Sequence, residues 1–221
     1  MTAPIDVVLP CLDEAEALPA LLAALPPHYR AIVVDNGSTD GSADVARRCG
    51  ACVVTEPRRG YGAAVHAGLA AATAELVVVC DADGTIDPAC FDALVAPVHA
   101  GRTDLVIGRR RPTSRAAWPL ASRVANAVLA RMIRSRTGLA LRDLGPVRAA
   151  HRVSLLELGV SDRRSGYPVE LLLRAHEAGW RVQQVEVGYS PRIGRSKVTG
   201  SVRGYLTAVR DTRRRLAEAG R

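Results

Sequence analysis

The sequence predicts an α/β fold in which a mostly parallel sheet is covered by helices on both faces. Three features carry that expectation. Over the first hundred residues, short apolar runs alternate with segments of helical periodicity, the pattern of successive βαβ units. Leu76-Val-Val-Val-Cys80 is apolar throughout, as expected of a strand buried on both sides. That strand ends in Asp81-Ala82-Asp83-Gly84, which brings two carboxylates together to a sheet edge, where open α/β sheets bind ligands.

The elements follow in order. Ile5 to Leu9 reads as the first strand, and Asp13 to Leu25 as a helix with Leu18, Leu21, Leu22 and Leu25 on one face. Ala31 to Asp35 is the second strand, about Thr39 to Cys49 the second helix, and Cys52 to Thr55 the third strand. A Gly60-Tyr61-Gly62 turn opens a helix to about Ala72. After the Asp81 strand, Asp87-Pro88 starts a helix, with Asp as cap and Pro in the first turn. Asp104 to Gly108 closes the series.

Beyond Gly108 the pattern changes. Arg109 to Arg115 is expected to be a basic loop, and about Trp118 to Arg136 a helix with Leu120, Val124, Ala127, Val128 and Met132 along one face. Asp143 to Pro146 reads as a turn and Pro168 to Ala178 as a helix. Val182 to Tyr189 alternates like an antiparallel or edge strand. A basic loop from Arg192 to Lys197 precedes a last helix, about Ser201 to Ala219. Its apolar side carries Val202, Tyr205, Val209 and Leu216, and its other side Arg210, Arg213, Arg214 and Arg215.

Composition narrows the function. The 221 residues suffice for one full core. No apolar run approaches the ~18 residues of a membrane span, and the N-terminus lacks the basic region of a signal peptide. The expected location is cytoplasmic. Five cysteines without framework spacing agree with a reducing compartment. Cys49-Gly-Ala-Cys52 has redox spacing but straddles a helix end, away from the helix N-terminus that activates such thiols.

Charge is segregated. Residues 1–101 carry 5 arginines against 13 carboxylates, and residues 102–221 carry 24 arginines and Lys197 against 9. An acidic half joined to a basic half suits an anionic substrate that arrives with a metal. Nucleic acid is not an expected partner: Phe91, Trp118 and Trp180 offer few stacking platforms, and no helix-turn-helix or zinc spacing is present.

Asp81 and Asp83 would repel each other and lose hydration unless a cation or donors compensate. Carboxylates so placed hold Mg²⁺ or Mn²⁺ together with substrate phosphates. A dinucleotide-binding fold is excluded, because Pro10-Cys-Leu-Asp-Glu14 after the first strand has no glycine-rich turn. Besides a basic nucleic-acid-binding protein, which the few stacking platforms disfavour, the alternative is a haloacid-dehalogenase-type phosphatase using Asp81. It needs a later lysine and a further acidic cluster, and after the single Lys197 only Asp211 and Glu218 remain.

More residues are accounted for by Val7-Val-Leu-Pro-Cys-Leu-Asp-Glu14, Ile32-Val-Val-Asp-Asn-Gly-Ser-Thr-Asp-Gly41, Arg59-Gly-Tyr-Gly-Ala-Ala64 and Asp81-Ala-Asp83, followed by Asp143-Leu-Gly-Pro-Val-Arg-Ala149, Gly166-Tyr-Pro-Val-Glu170 and Arg192-Ile-Gly-Arg-Ser-Lys197. In order and spacing the chain resembles family-two glycosyltransferases of the GT-A fold, nearest the soluble branch similar to dolichyl-phosphate mannose synthase. The resemblance implies a Rossmann-like sheet with a smaller C-terminal acceptor part. Residues 1–108 would form the nucleotide-sugar-binding half and 109–221 the acceptor-binding half of one continuous domain.

It also implies site residues. Pro10, Leu12, Glu14 and Asp35 would line the base and ribose pocket, with Gly37, Ser38 and Gly60 allowing close backbone approach. Asp81 and Ala82 would lie near the ribose, Asp83 would hold Mg²⁺ or Mn²⁺ on the diphosphate, and Arg195 and Lys197 would close over the phosphates. The donor would be a UDP-sugar, with a GDP-sugar as the other choice. Arg110 and Arg123, with Arg115, would hold an acceptor phosphate such as a polyprenyl phosphate, reached by peripheral contact at the inner face of the membrane. Three departures stand out: Asp13 stands where Asn is usual, Leu12 replaces a usual aromatic, and Gly108-Arg-Arg110 replaces Gly-Ser-Arg. For an alcohol acceptor Asp143 would be the catalytic base, with Glu170 second. For a phosphate acceptor no base is needed, and Asp143 would position it.

Overall fold

The structure is a computed structural model that describes residues 4–194. Arg195, Lys197 and the helix expected over Ser201 to Ala219 lie outside the described residues. Seven strands, β1 (Ile5–Cys11), β2 (Tyr29–Asp35), β3 (Cys52–Thr55), β4 (Leu76–Cys80), β5 (Leu105–Pro112), β6 (Val147–His151) and β7 (Val182–Tyr189), form one sheet in the order β3-β2-β1-β4-β6-β5-β7. Among them β6 alone is reversed, antiparallel to both β4 and β5. Helices α1 (Leu18–Ala23), α2 (Ser42–Arg48) and α4 (Phe91–His99) cover one face. The other carries α3 (Tyr61–Ala71), α5 (Leu120–Thr137), α6 (Arg152–Glu157) and α7 (Tyr167–Glu177).

The strand sequences explain the layers. Side chains alternate across a sheet, so Ile5, Val7, Leu9 and Cys11 of β1 pack under α1, α2 and α4, while Val8 faces α3. In β4, Leu76, Val78 and Cys80 face the first layer and Val77 and Val79 the second. Both faces are covered, which is why these strands are apolar at nearly every position. Asp6 is the exception, fully buried in β1. Its carboxylate accepts from Arg30 Nε at 2.7 Å and from the Thr73 and Ala74 N–H groups at 2.7 and 2.9 Å. Burial pushes its pKa up, but Arg30 and these backbone donors outweigh that and hold it below its usual value.

Several expectations change. The Arg109 to Arg115 segment begins as strand: β5 continues to Pro112 because β7 pairs with it, Arg110 opposite Val187 and Pro112 opposite Tyr189. β6 and α6 were not foreseen. α1 starts at Leu18 instead of Asp13, since the preceding residues are held in a turn by bonds to the loop after β2. The expected apolar face of α5 is largely in solvent, with Leu120, Val124 and Val128 exposed by 72%, 55% and 52%. Smaller residues face inward instead: Ala125, Ala130 and Thr137, together with Ile133.

Candidate active site

Strand register gathers the site. Cys11 pairs with Asp35 and Val8 with Val79, so β1, β2 and β4 end along one edge. β6 begins where β4 ends, with Val147 opposite Cys80. The Asp143–Pro146 turn therefore lies beside the Asp-x-Asp, and the Asp81 N–H donates to the Pro146 carbonyl at 3.2 Å.

Beyond the ends of β1, β2 and β3, side chains stitch three loops together. Asp13, with φ 55°, is a non-glycine residue in the left-handed region. It is held there by its own N–H donating to Ser38 Oγ at 3.0 Å and by its carboxylate accepting from the Thr39 N–H at 2.7 Å. The Glu14 N–H donates to Ser42 Oγ at 2.8 Å, and the Asp35 carboxylate accepts from the Ser38 N–H at 3.0 Å. Buried Asn36 donates to the carbonyls of Glu56 and Arg58, both at 2.8 Å, and accepts from the Gly60 N–H at 2.7 Å. Pro10, Leu12, Glu14, Asp35, Gly37, Ser38 and Gly60 thus share one rim. Gly60 has φ 145°, and a Cβ there would lie 2.1 Å from the Arg163 carbonyl oxygen. Its close approach is to the chain's own backbone.

Asp81 lies partly open at this edge, while Ala82 and Asp83 are buried. Burial raises the pKa of Asp81 and the charge of Asp83 raises it further, against the pull of Arg148, Arg110 and Arg192. Asp83 Oδ1 accepts from the Thr85 N–H and Oγ1 at 3.1 and 2.7 Å. Its Oδ2 stands 3.4 Å from Arg192 Nη1, and Arg192 also pairs with Glu14. A cationic group therefore already faces the oxygen that a metal would take. The described residues contain no group of three or more ligating side chains. The hard carboxylate oxygens of Asp81 and Asp83 are donors that a hydrated Mg²⁺ or Mn²⁺ takes, with substrate phosphates completing its shell. The donor set fits such an ion.

The basic loop is anchored at its start: the Ile193 N–H donates to the Asp83 carbonyl at 3.2 Å and the Ser190 N–H to the Thr85 carbonyl at 2.9 Å. Of the expected phosphate-closing segment only Arg192 to Gly194 is described.

Across the edge, before β6, Asp143 is 1% exposed. It accepts from the Arg110 N–H at 2.7 Å, Arg110 Nη1 at 2.8 Å and the Gly145 N–H at 3.0 Å. The Arg110 guanidinium lies over the rings of Trp118 and Tyr189, at 4.9 and 5.2 Å from their centroids. Arg148, 4% exposed on β6, donates to the Leu144 and Gly145 carbonyls at 2.9 and 2.8 Å and to the Tyr61 hydroxyl at 3.3 Å. It joins the Asp143 turn to the glycine turn of the donor rim.

Two expected acceptor residues sit apart. Arg123 is exposed on the first turn of α5. Glu170 is buried on α7, where its carboxylate accepts from the Ser161 and Asp162 N–H groups at 3.0 and 2.7 Å and pairs with Arg174. Its observed work is to hold the 161–162 loop. Sequence reasoning had assigned no role to Asn36, Trp118, Arg148, Tyr189 or Arg192. Except for the local contacts of Trp118 with Arg110 and of Arg148 with Leu144 and Gly145, their partners lie tens of residues away, and only the quoted motifs around Asn36, Arg148 and Arg192 offered a signal.

A mostly parallel sheet with an Asp-x-Asp at a strand end is the architecture of a glycosyltransferase of the GT-A fold. The chain belongs to glycosyl transferase family 2, whose family model matches residues 6–157. It is 55% identical over 208 residues to an uncharacterized glycosyltransferase of Mycobacterium tuberculosis (strain ATCC 25618 / H37Rv), covering 94% of this chain and 95% of that protein. It is 28% identical over 195 residues to a dolichyl-phosphate hexose transferase of Haloferax volcanii, covering 87% and 85%. Among solved structures, glucosyl-3-phosphoglycerate synthase from Mycobacterium tuberculosis, in complex with Mn²⁺, UDP and glucosyl-3-phosphoglycerate, superposes with a TM-score of 0.77. Sequence identity there is 26%, covering 98% of this chain and 80% of that one.

Proposed function

We propose that this glycosyltransferase moves a sugar, with inversion, from a UDP-sugar to an acceptor that is itself an anion, with a polyprenyl phosphate favoured. The observation that carries the reading is the Arg110–Asp143 pair. Three donors fill both acceptor sites of Oδ1 and one of Oδ2 on the buried Asp143 carboxylate, an arrangement that suits a group orienting Arg110 better than one receiving an alcohol proton, whereas an acceptor phosphate needs no base. In the proposed reaction a phosphate oxygen attacks the anomeric carbon from the side opposite the diphosphate. The bond to UDP breaks, and UDP leaves with the electron pair.

Residues 1–108 bind the donor in this reading. The loop-linked rim from Pro10 to Gly60 positions base and ribose, and Asp83, with Asp81 beside it, holds Mg²⁺ or Mn²⁺. When bound, the divalent ion neutralises charge developing on the departing diphosphate. Residues from 109 onward bind the acceptor through Arg110, which Asp143, Trp118 and Tyr189 hold in one orientation. Arg195 and Lys197 are proposed to reach the phosphates. The Mn²⁺ and UDP of the structural neighbour support the donor choice, and the Haloferax volcanii relative supports the lipid acceptor.

A soluble phosphorylated acid is the second reading, favoured by the glucosyl-3-phosphoglycerate in that same neighbour. The deciding experiment measures steady-state transfer from UDP-glucose and from GDP-mannose to polyprenyl phosphate and to 3-phosphoglycerate. Transfer to a neutral alcohol alone would overturn both readings.

A further inference from the structure

The face of α5 turned away from the sheet is apolar where the helix begins and cationic along its flank. Leu120, Val124 and Val128 are exposed by 72%, 55% and 52%. Their spacing of four places them on one stripe, which exposed Ala121 and Ala127 widen. Arg123, Arg131 and Arg134 are exposed on the same helix, and Leu120–Thr137 contains no Asp or Glu. In water such a stripe only loses free energy. At a bilayer surface the aliphatic groups leave water while the guanidinium groups meet lipid phosphates.

We propose that this face of α5 docks on an anionic phospholipid bilayer. Charge separates this occupant from the alternatives. A second copy seated on the same face would bring two cationic helices together. The segment 195–221 is itself basic, with seven arginines and Lys197 against Asp211 and Glu218. Continuity with the site gives the contact its purpose. Trp118, just before α5, lies against Arg110, so a bilayer under α5 meets the acceptor side of the cleft. That purpose rests on the lipid-acceptor reading, whereas the docking chemistry does not.

The test is co-sedimentation of the full chain with vesicles of phosphatidylglycerol and phosphatidylcholine, and with phosphatidylcholine alone. Binding is expected only to the anionic vesicles and should weaken as salt screens it. The variant Leu120→Gln/Val124→Gln/Val128→Gln, and separately Arg131→Gln/Arg134→Gln, should each lower the partition coefficient about tenfold or more. All substituted positions are exposed, so the thermal midpoint and UDP–Mn²⁺ affinity should hold. Unchanged partition in both variants overturns the proposal. So does a variant that shifts only the monomer–dimer balance. Vesicle binding lost in the variants while wild type glycosylates only a soluble phospho-acid would keep the docking face and remove the lipid acceptor. Lipid transfer in detergent without vesicle binding would do the reverse.

Discussion

Arg110 grips Asp143 twice, through Nη1 to Oδ1 at 2.8 Å and through its own backbone N–H to Oδ2 at 2.7 Å. The side chains of both are largely buried, at 16% and 2% exposure. Asp143→Asn keeps the shape but leaves Arg110 without its counter-charge. The acceptor KM should rise about tenfold, while kcat falls by less than the 10²–10⁴-fold typical of a lost general base. Donor affinity should stay constant. Steady-state kinetics with both substrates varied separates these outcomes, and a loss confined to kcat in the general-base range would restore Asp143 as the base.

Asp83 presents one oxygen to Arg192 and spends the other on Thr85. Asp83→Ala should weaken UDP binding in the presence of Mn²⁺ at least tenfold, about 1.4 kcal/mol. Calorimetry is the direct check. Wild-type affinity that is the same with EDTA would remove the metal from the site.

Asp81 makes the ligand-free protein sensitive to pH. Burial and the neighbouring Asp83 push it up to about 6. A carboxyl whose folded pKa exceeds its unfolded value binds more protons when folded. Stability should therefore decline as pH rises from about 4 to about 6 and level off above that. Asp81→Asn should flatten the decline and stabilise the free protein near pH 7. The gain should be on the order of 1–2 kcal/mol, given the water access of the cleft. Urea titrations across this range would show it, and a variant no more stable than wild type at pH 7 would contradict it.

Gly62, in the first turn of α3, lies against the 162–163 backbone. A Cβ there would stand 2.2 Å from the Asp162 carbonyl oxygen. Gly62→Ala should cost about 1–3 kcal/mol, as overpacking does, and should weaken donor binding because the Asn36–Gly60 contact sits next to it. Chemical denaturation paired with UDP titration measures both.

The donor half was legible because its signals are local. The all-apolar β4, the Asp87 cap and the Asp81–Asp83 spacing each show within a few residues. β6 was not legible: Val147-Arg-Ala-Ala-His151 has an arginine and two alanines where a strand signal would be β-branched. Arg148 is tolerated inside the sheet only because Leu144, Gly145 and Tyr61 supply acceptors. In α5 the pattern revealed an apolar face but not which way it turned, since small Ala125 and Ala130 take the inward positions where α5 meets α7. The Arg192–Glu14 pair spans 178 residues, beyond any local pattern.

The reversal of β6 has an evolutionary consequence. The chain departs from the sheet at the end of β5 and re-enters through β6, beside the strand that bears Asp81 and Asp83. Everything between Pro112 and Asp143 is therefore an excursion whose two ends are fixed by the sheet and whose interior is held through buried Ala130, Ile133 and Leu141. Its other positions take no part in the strand pairing of β1, β2 and β4. If residues from 109 onward bind the acceptor as proposed, a change of acceptor needs changes in one insert only, while β1, β2 and β4 keep their register.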